Sequence, residues 1–218
     1  MVVVGAIAAF AVARGVQSLA PSSATATSPA TLRPGEQVVA PLPSTDAAPV
    51  EVPPTEPRLP RSVGGDGHGE ADGAVPDGTT VFDDDVPGVA NLDPTLLAAL
   101  RRAATDARRD GVELHVDSGW RSAAYQERLL QQAISKYGSA REAARWVATP
   151  ETSLHVSGDA VDLGPSRATS WLSHHGAAYG LCQIYRNEPW HYELRPDAAA
   201  HGCPAKYADP THDPRMQQ

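Results

Sequence analysis

Excess basic charge, long apolar runs, aromatic residues and cysteine are all scarce in this 218-residue chain. Lysine and arginine total 18 against 26 aspartates and glutamates, a formal net charge of -8. That balance argues against a nucleic-acid partner or a polybasic hold on a membrane, and it accommodates a small or a cationic substrate. The apolar run from Val2 to Ala13 is short of the ~20 residues that span a bilayer. It suits the core of a signal peptide, with Ala24-Thr25-Ala26 as a cleavage site. Two features run against that: no basic residue precedes the stretch, and Arg14 follows it. A longer anchor or a buried helix are the alternatives. Residues 1–20 are therefore expected to be a signal peptide or membrane anchor.

No aromatic residue occurs between Phe10 and Phe82, and residues 21–60 hold ten of the twenty prolines. Such a stretch buries too little apolar surface to offset its ordering entropy. Residues 21–78 are expected to form a disordered, semi-extended linker. His68, inside Gly-Asp-Gly-His-Gly, reads as a solvated loop histidine. The two cysteines, Cys182 and Cys203, imply one disulfide outside the cytosol or two buried thiols inside it. No internal repeat is visible.

What is present gathers between 79 and 218, the expected folded domain. Hydrophobic residues are 41% of the chain, enough for a core. Asp93-Pro94 is an N-cap followed by a first-turn proline. Leu96, Leu97, Leu100, Ala103, Ala104 and Ala107 then recur at helical spacing, with Gly111 as a stop. Val112, Leu114 and Val116 alternate with Glu113, His115 and Asp117, the pattern of a half-buried strand. Ser122 caps a second helix carrying Tyr125, Leu129, Leu130, Ala133 and Ile134, ended by Gly138. Residues 139–147 continue helically, 149–158 read as loop, 160–163 as a strand and 167–178 as a helix. Residues 181–185 and 190–194 read as a hairpin. Helices lead and short strands cluster later, so the expected class is α+β: helices packed on a small antiparallel sheet.

Three segments carry chemistry. They are Ser118-Gly-Trp-Arg121-Ser, then Ser153-Leu-His155-Val-Ser-Gly158-Asp-Ala-Val-Asp162, then Glu188-Pro-Trp-His191. Two imidazoles and one carboxylate, His155, Asp162 and His191, would leave a fourth tetrahedral position open, the pattern of a catalytic zinc site. Zinc brings the pKa of a water there to about 7. Glu188 could then move that water's proton, and Arg121 could stabilise a developing oxyanion. From spacing alone, a loop histidine, a salt-bridged aspartate and a surface arginine remain open as blander assignments.

The pattern S-x-H-x-x-G-x-A-x-D at 153–162 followed by E-P-W-H at 188–191 resembles the VanY-type D-alanyl-D-alanine carboxypeptidases. These are zinc peptidases in a group shared with the D-Ala-D-Ala dipeptidases and hedgehog-like domains. S-G-W-R-S at 118–122 resembles the same family's S-G-[YF]-R-S, with Trp120 replacing the commoner Tyr or Phe. The resemblance covers roughly 80–195. It implies a hedgehog/D-Ala-D-Ala peptidase-like fold, with His155, Asp162 and His191 as zinc ligands. Glu188 would be the general base and Arg121 the residue that polarises the scissile carbonyl. Gln126 would shape the pocket, and Ser153 would lie near the substrate's terminal carboxylate. A Cys182–Cys203 bridge would tie the end of the chain across the catalytic hairpin.

The implied enzyme is a monomeric zinc metallopeptidase that removes terminal D-alanine from peptidoglycan stem peptides. It would be secreted or membrane-anchored at the bacterial cell envelope, with membrane contact only through its N-terminal segment and no nucleic-acid partner. The alternatives are a D,D-dipeptidase or peptidoglycan endopeptidase with the same site, and a non-catalytic, zinc-stabilised wall-binding module.

Overall fold

The computed structural model describes residues 69–217. The expectations for 1–20, for 21–68 and for His68 lie outside the described residues. The described chain is already packed in the ten residues before the expected boundary at 79. A 3-10 turn at Glu70–Asp72 opens it, and the Asp72 carbonyl accepts the N–H of Ser122. Ala74 and Val75 pack against two different apolar clusters. Composition hid this segment, because short side chains and glycine suit a close-packed turn as well as a linker.

Helix α1 (Pro87–Ala90) leads into α2 (Pro94–Arg109). Asp93 caps α2 by accepting from the N–H groups of Thr95 and Leu96. Its buried face is Leu96, Ala99, Leu100, Ala103, Ala104 and Ala107, the stripe that helical spacing requires. Strand β1 (His115–Ser118) is shorter at its start and one residue longer at its end than expected. The Val112 N–H caps α2 by donating to Ala107, so residues 112–114 bury Val112 and Leu114 without joining the ladder.

Ser122 caps α3 (Ala123–Tyr137), and Ser139 caps α4 (Ala140–Ala143). The stretch expected as loop at 149–158 contains a single helical turn, α5 (Leu154–Ser157). One turn is too short to show a period in sequence. Strand β2 (Ala160–Gly164), helix α6 (Ser166–His175), strands β3 (Leu181–Gln183) and β4 (His191–Leu194), and helix α7 (Ala198–His201) complete the order.

Among the described residues the strands form one antiparallel sheet in the order β1-β2-β4-β3. Alternation divides it into two faces. Val116, Val161, Leu163, Tyr192 and Leu181 face a core built with α2 and α6. Asp162, His191 and Glu193 point the other way. A second cluster (Tyr125, Leu129, Ala133, Ala143 and Val147) holds α3 to α4 on that far side. The polar face of the sheet is thereby roofed rather than left to solvent. The fold is the α+β arrangement expected from the sequence. No helix among the described residues is long and apolar enough to cross a membrane.

Cys182 and Cys203 are disulfide-bonded across a sequence separation of 21. This ties the segment after α7 to strand β3. Closing a loop of this size stabilises the fold by about 3 kcal/mol in the chain-entropy model. A Cys203→Ser variant, or wild type under reductant, is expected to melt at lower temperature by that amount of stability. Calorimetry with and without reductant measures it.

Candidate metal centre and catalytic cavity

Strand register builds the centre of the site. Ser118 on β1 pairs with Asp162 on β2, and Asp162 pairs with His191 on β4. Directly opposed residues in antiparallel strands hold their Cβ atoms ~5 Å apart, so two side chains of complementary charge meet without any loop. A bulge between Val116 and Ser118 re-aims the end of β1, and the chain then carries Arg121 over the same face.

His155 arrives from α5, docked on the 118–122 segment by two hydrogen bonds. Its Nδ1–H donates to the Gly119 carbonyl at 2.8 Å, and its own carbonyl accepts the Arg121 N–H at 3.1 Å. Two glycines permit this approach. A Cβ on Gly119 would lie 1.9 Å from the Gly88 carbonyl oxygen. Gly158 has φ of +82°, and a Cβ there would lie 2.5 Å from the Asn91 carbonyl oxygen. A left-handed residue with backbone on its open side has to be glycine.

His155, Asp162 and His191 are buried, and each offers a ligand atom within 4.8 Å of the others. Asp162 Oδ1 lies 3.2 Å from His191 Nδ1 and 3.5 Å from His155 Nε2. The outward ring nitrogens are engaged elsewhere: His155 Nδ1 on Gly119, and His191 Nε2 on Glu193 Oε1 at 3.3 Å. In its neutral form each imidazole is thereby set in the tautomer that aims one lone pair at the centre, as metal-binding histidines require. Two nitrogens and a carboxylate oxygen suit a borderline divalent metal such as zinc, and three protein ligands leave a position for a reactant.

The electrostatics differ among the three side chains. Burial, reinforced by Arg121, lowers the pKa of His155 and favours its neutral form. Burial works against the charge on Asp162, but the two histidines and Arg121 outweigh it and hold the carboxyl well below its ordinary range. Burial also opposes charge on His191; its hydrogen bonds to Asp162 and Glu193 prevail and push it up to about 10.

Glu188 lines the same cavity, with Oε2 at 3.9 Å from His191 Nδ1. Its Oε1 is buried and has no hydrogen-bond partner among the described residues. Burial pushes its carboxyl up to about 8. A cation on the ligand cluster would pull that value down. An orphaned carboxylate oxygen in a cavity is an acceptor waiting for a proton-bearing reactant.

Arg121 is held at all three nitrogens. Nε donates to Ser118 Oγ at 2.8 Å, Nη1 to Gln126 Oε1 at 3.0 Å and Nη2 to Asp162 Oδ2 at 3.1 Å. Gln126 is buried and donates in turn to the Ala148 carbonyl at 2.9 Å. Its place is therefore behind the guanidinium as well as on the cavity wall. Ser153 is buried at the start of α5, lines the cavity, and makes no side-chain cap bond there.

Residues 89–197, half of the chain, match the family VanY, D-alanyl-D-alanine carboxypeptidase. The chain belongs to the VanY family. The matched stretch contains His155, Asp162, Glu188, His191, Arg121, Gln126 and Ser153. A D-alanyl-D-alanine carboxypeptidase of Enterococcus faecalis (strain ATCC 700802 / V583) is 32% identical over 111 residues. That alignment spans 39% of this chain and 41% of the relative, so the chain matches less than half of the relative's length. Among solved structures, VanYB in complex with D-alanine-D-alanine is 28% identical with a TM-score of 0.48, covering 50% of this chain and 75% of that one. A D,D-pentapeptidase VanY mutant from a VanB-type resistance cassette, in complex with Zn(II), is 27% identical with a TM-score of 0.45, covering 47% and 72%.

Sequence reading missed several residues that pack around this VanY-family site. Glu193 stands two residues after His191 on the same strand face, and alternation alone could have flagged it. Tyr185, whose ring centre lies 5.1 Å from that of His191, and Arg215, which grips Glu193, carry no local signal. Arg215 reaches the site only because the chain folds back over it.

A metal at this VanY-family centre would have to displace the proton that the Asp162 and Glu193 hydrogen bonds favour on His191. Titration of the purified chain with Zn2+ is expected to saturate at one ion, release protons, and strengthen as pH rises through the neutral range. Calorimetry in two buffers of different ionisation enthalpy measures all three. Asp162→Ala should abolish the binding.

Proposed function

We propose that this chain is a zinc-dependent D-alanyl-D-alanine carboxypeptidase that trims peptidoglycan stem peptides outside the cytoplasm. The observation that carries the proposal is the placement of Glu188. A buried carboxylate with one unengaged oxygen shares a cavity with the three ligand side chains and an immobilised arginine. Membership of the VanY family supports the substrate class.

His155 Nε2, Asp162 and His191 Nδ1 would hold the zinc. Zinc, when bound, supplies a Lewis acid that polarises a carbonyl and acidifies water. Glu188 accepts the proton of the attacking water and returns it to the departing D-alanine amine. Arg121, fixed by Ser118, Gln126 and Asp162, still has one N–H on each terminal nitrogen outside those bonds. One of these donates to the scissile carbonyl oxygen as negative charge develops there, and being pre-positioned it costs no reorganisation. The Ser153 hydroxyl receives the substrate's terminal carboxylate. Gln126 acts through Arg121 and is a positioning residue. Residues 1–20 direct export or tether the chain at the envelope, and the proline-rich stretch up to residue 68 spaces the domain from that point. The enzyme acts as a monomer.

The test is mass spectrometry of a UDP-linked muramyl pentapeptide incubated with the full chain, with and without zinc, beside Glu188→Gln. The expected result is loss of one alanine, dependent on zinc, with Glu188→Gln slower by about 10²–10⁴-fold. Loss of an Ala-Ala unit would assign a dipeptidase instead, and cleavage only of cross-linked muropeptides an endopeptidase. No cleavage of any of these by zinc-loaded protein would overturn catalysis in favour of a wall-binding module.

A further inference from the structure

The segment that matches the VanY family ends at residue 197, yet the chain returns to the catalytic cavity after it. Asp209 caps a 3-10 turn at Pro210–His212 and accepts from Arg145 Nε at 3.0 Å, which fastens the returning chain beside α4. Asp213 is fully buried and accepts the Tyr185 hydroxyl at 3.0 Å. Arg215 donates from Nη1 to Glu193 Oε2 at 2.7 Å and from Nη2 to Glu193 Oε1 at 3.2 Å, and its Nε donates to both Asp213 oxygens. Glu193 in turn takes the Nε2–H of His191. Pro210 and Met216 line the cavity itself.

We propose that residues 209–216 are a working part of the active site. Arg215 is a positioning residue that holds Glu193 against His191, and Met216 with Pro210 is a wall that substrate touches. The physical case starts from Glu193, a carboxylate only 1% exposed. A buried carboxylate goes where its donors are. Arg195 reaches Oε2 alone, whereas the Arg215 fork reaches both oxygens and sets the carboxylate plane. A planar guanidinium can do this and a point-charge ammonium cannot. With the plane set, Oε1 faces His191 Nε2 and keeps the proton there, so Nδ1 stays directed at Asp162. Partners behind a metal-binding histidine typically govern metal affinity or activity by 10–100-fold. Asp213 completes the clamp: it holds Arg215 along the guanidinium edge next to the one that Glu193 occupies, and is itself held by Tyr185, whose ring packs on His191.

This inference rests on the proposed zinc site, so its test reads zinc affinity separately from turnover. The full chain is compared as wild type, Arg215→Lys, Arg215→Gln and Met216→Ala. Zn2+ affinity is measured by competition with a chromophoric chelator, folding by thermal melting, and kcat and KM on the muramyl pentapeptide. Arg215→Gln is expected to weaken zinc binding by about 10-fold or more, and Arg215→Lys by less, since it keeps charge and loses the fork. Met216→Ala is expected to raise KM with zinc affinity unchanged. Should Arg215→Gln fail to fold, folded Arg215→Lys decides. Wild-type zinc affinity in the folded Arg215 variants overturns the positioning role, and an unchanged KM in Met216→Ala overturns the wall. Absence of zinc binding in wild type would overturn the proposed function instead.

Discussion

Everything at this site depends on a carboxylate buried in the middle of a sheet. Asp162 sits on β2 between two paired strands, and a lone carboxylate there would cost several kcal/mol of lost hydration. The fold offsets that by closing cationic and donor groups around it: His191 from the neighbouring strand, His155 from a helical turn, and Arg121 from the loop beyond β1. Removing any one of them would leave charge uncompensated. The same arrangement that makes the carboxylate tolerable makes a ligand cluster with an arginine already in place.

The surrounding architecture serves that cluster by controlling backbone distance. Gly119 and Gly158 let two segments come within backbone contact of α1 and the start of α2, which brings His155 close enough to share an oxygen with His191. The apolar face of the sheet, packed on α2 and α6, fixes the strands, so register alone determines that Asp162 opposes His191. The disulfide and the Arg145–Asp209 ion pair tie down the returning chain, so the far side of His191 is braced as well as the near side. Rigid support of this kind is what the proton transfer proposed for Glu188 would need, since small displacements of reacting groups are costly.

Legibility followed the range of the signal. The long helix at 94–109 was plain because six apolar positions repeat at one period and Asp93-Pro94 marks its start. Strand β1 was found because it alternates, although it was mis-set at its start where Val112 caps a helix instead of pairing, and the stretches read as strands at 160–163, 181–185 and 190–194 hold the other three. The helical turn carrying His155 was missed because four residues have no period. The boundary at 79 was late because Gly73, Ala74 and Val75 look like linker until Gly73 is placed against Trp120 and the other two against the apolar clusters. Among site residues, spacing brought out His155, Asp162, His191 and Glu188, and family resemblance was needed to choose them over blander assignments.

The sequence by itself determined the α+β class, the faces of the main helices and the chemical kinds gathered at the site, because these rest on local period and on motifs a few residues long. Only the tertiary structure decided which nitrogen of each histidine turns inward, that Gln126 stands behind Arg121, and that Glu193, Tyr185, Asp213 and Arg215 form a linked chain behind His191. Those outcomes depend on strand register and on a segment returning from some twenty residues away. Hydrogen-bond partners at that separation leave no period, cap or spacing for a linear reading to detect.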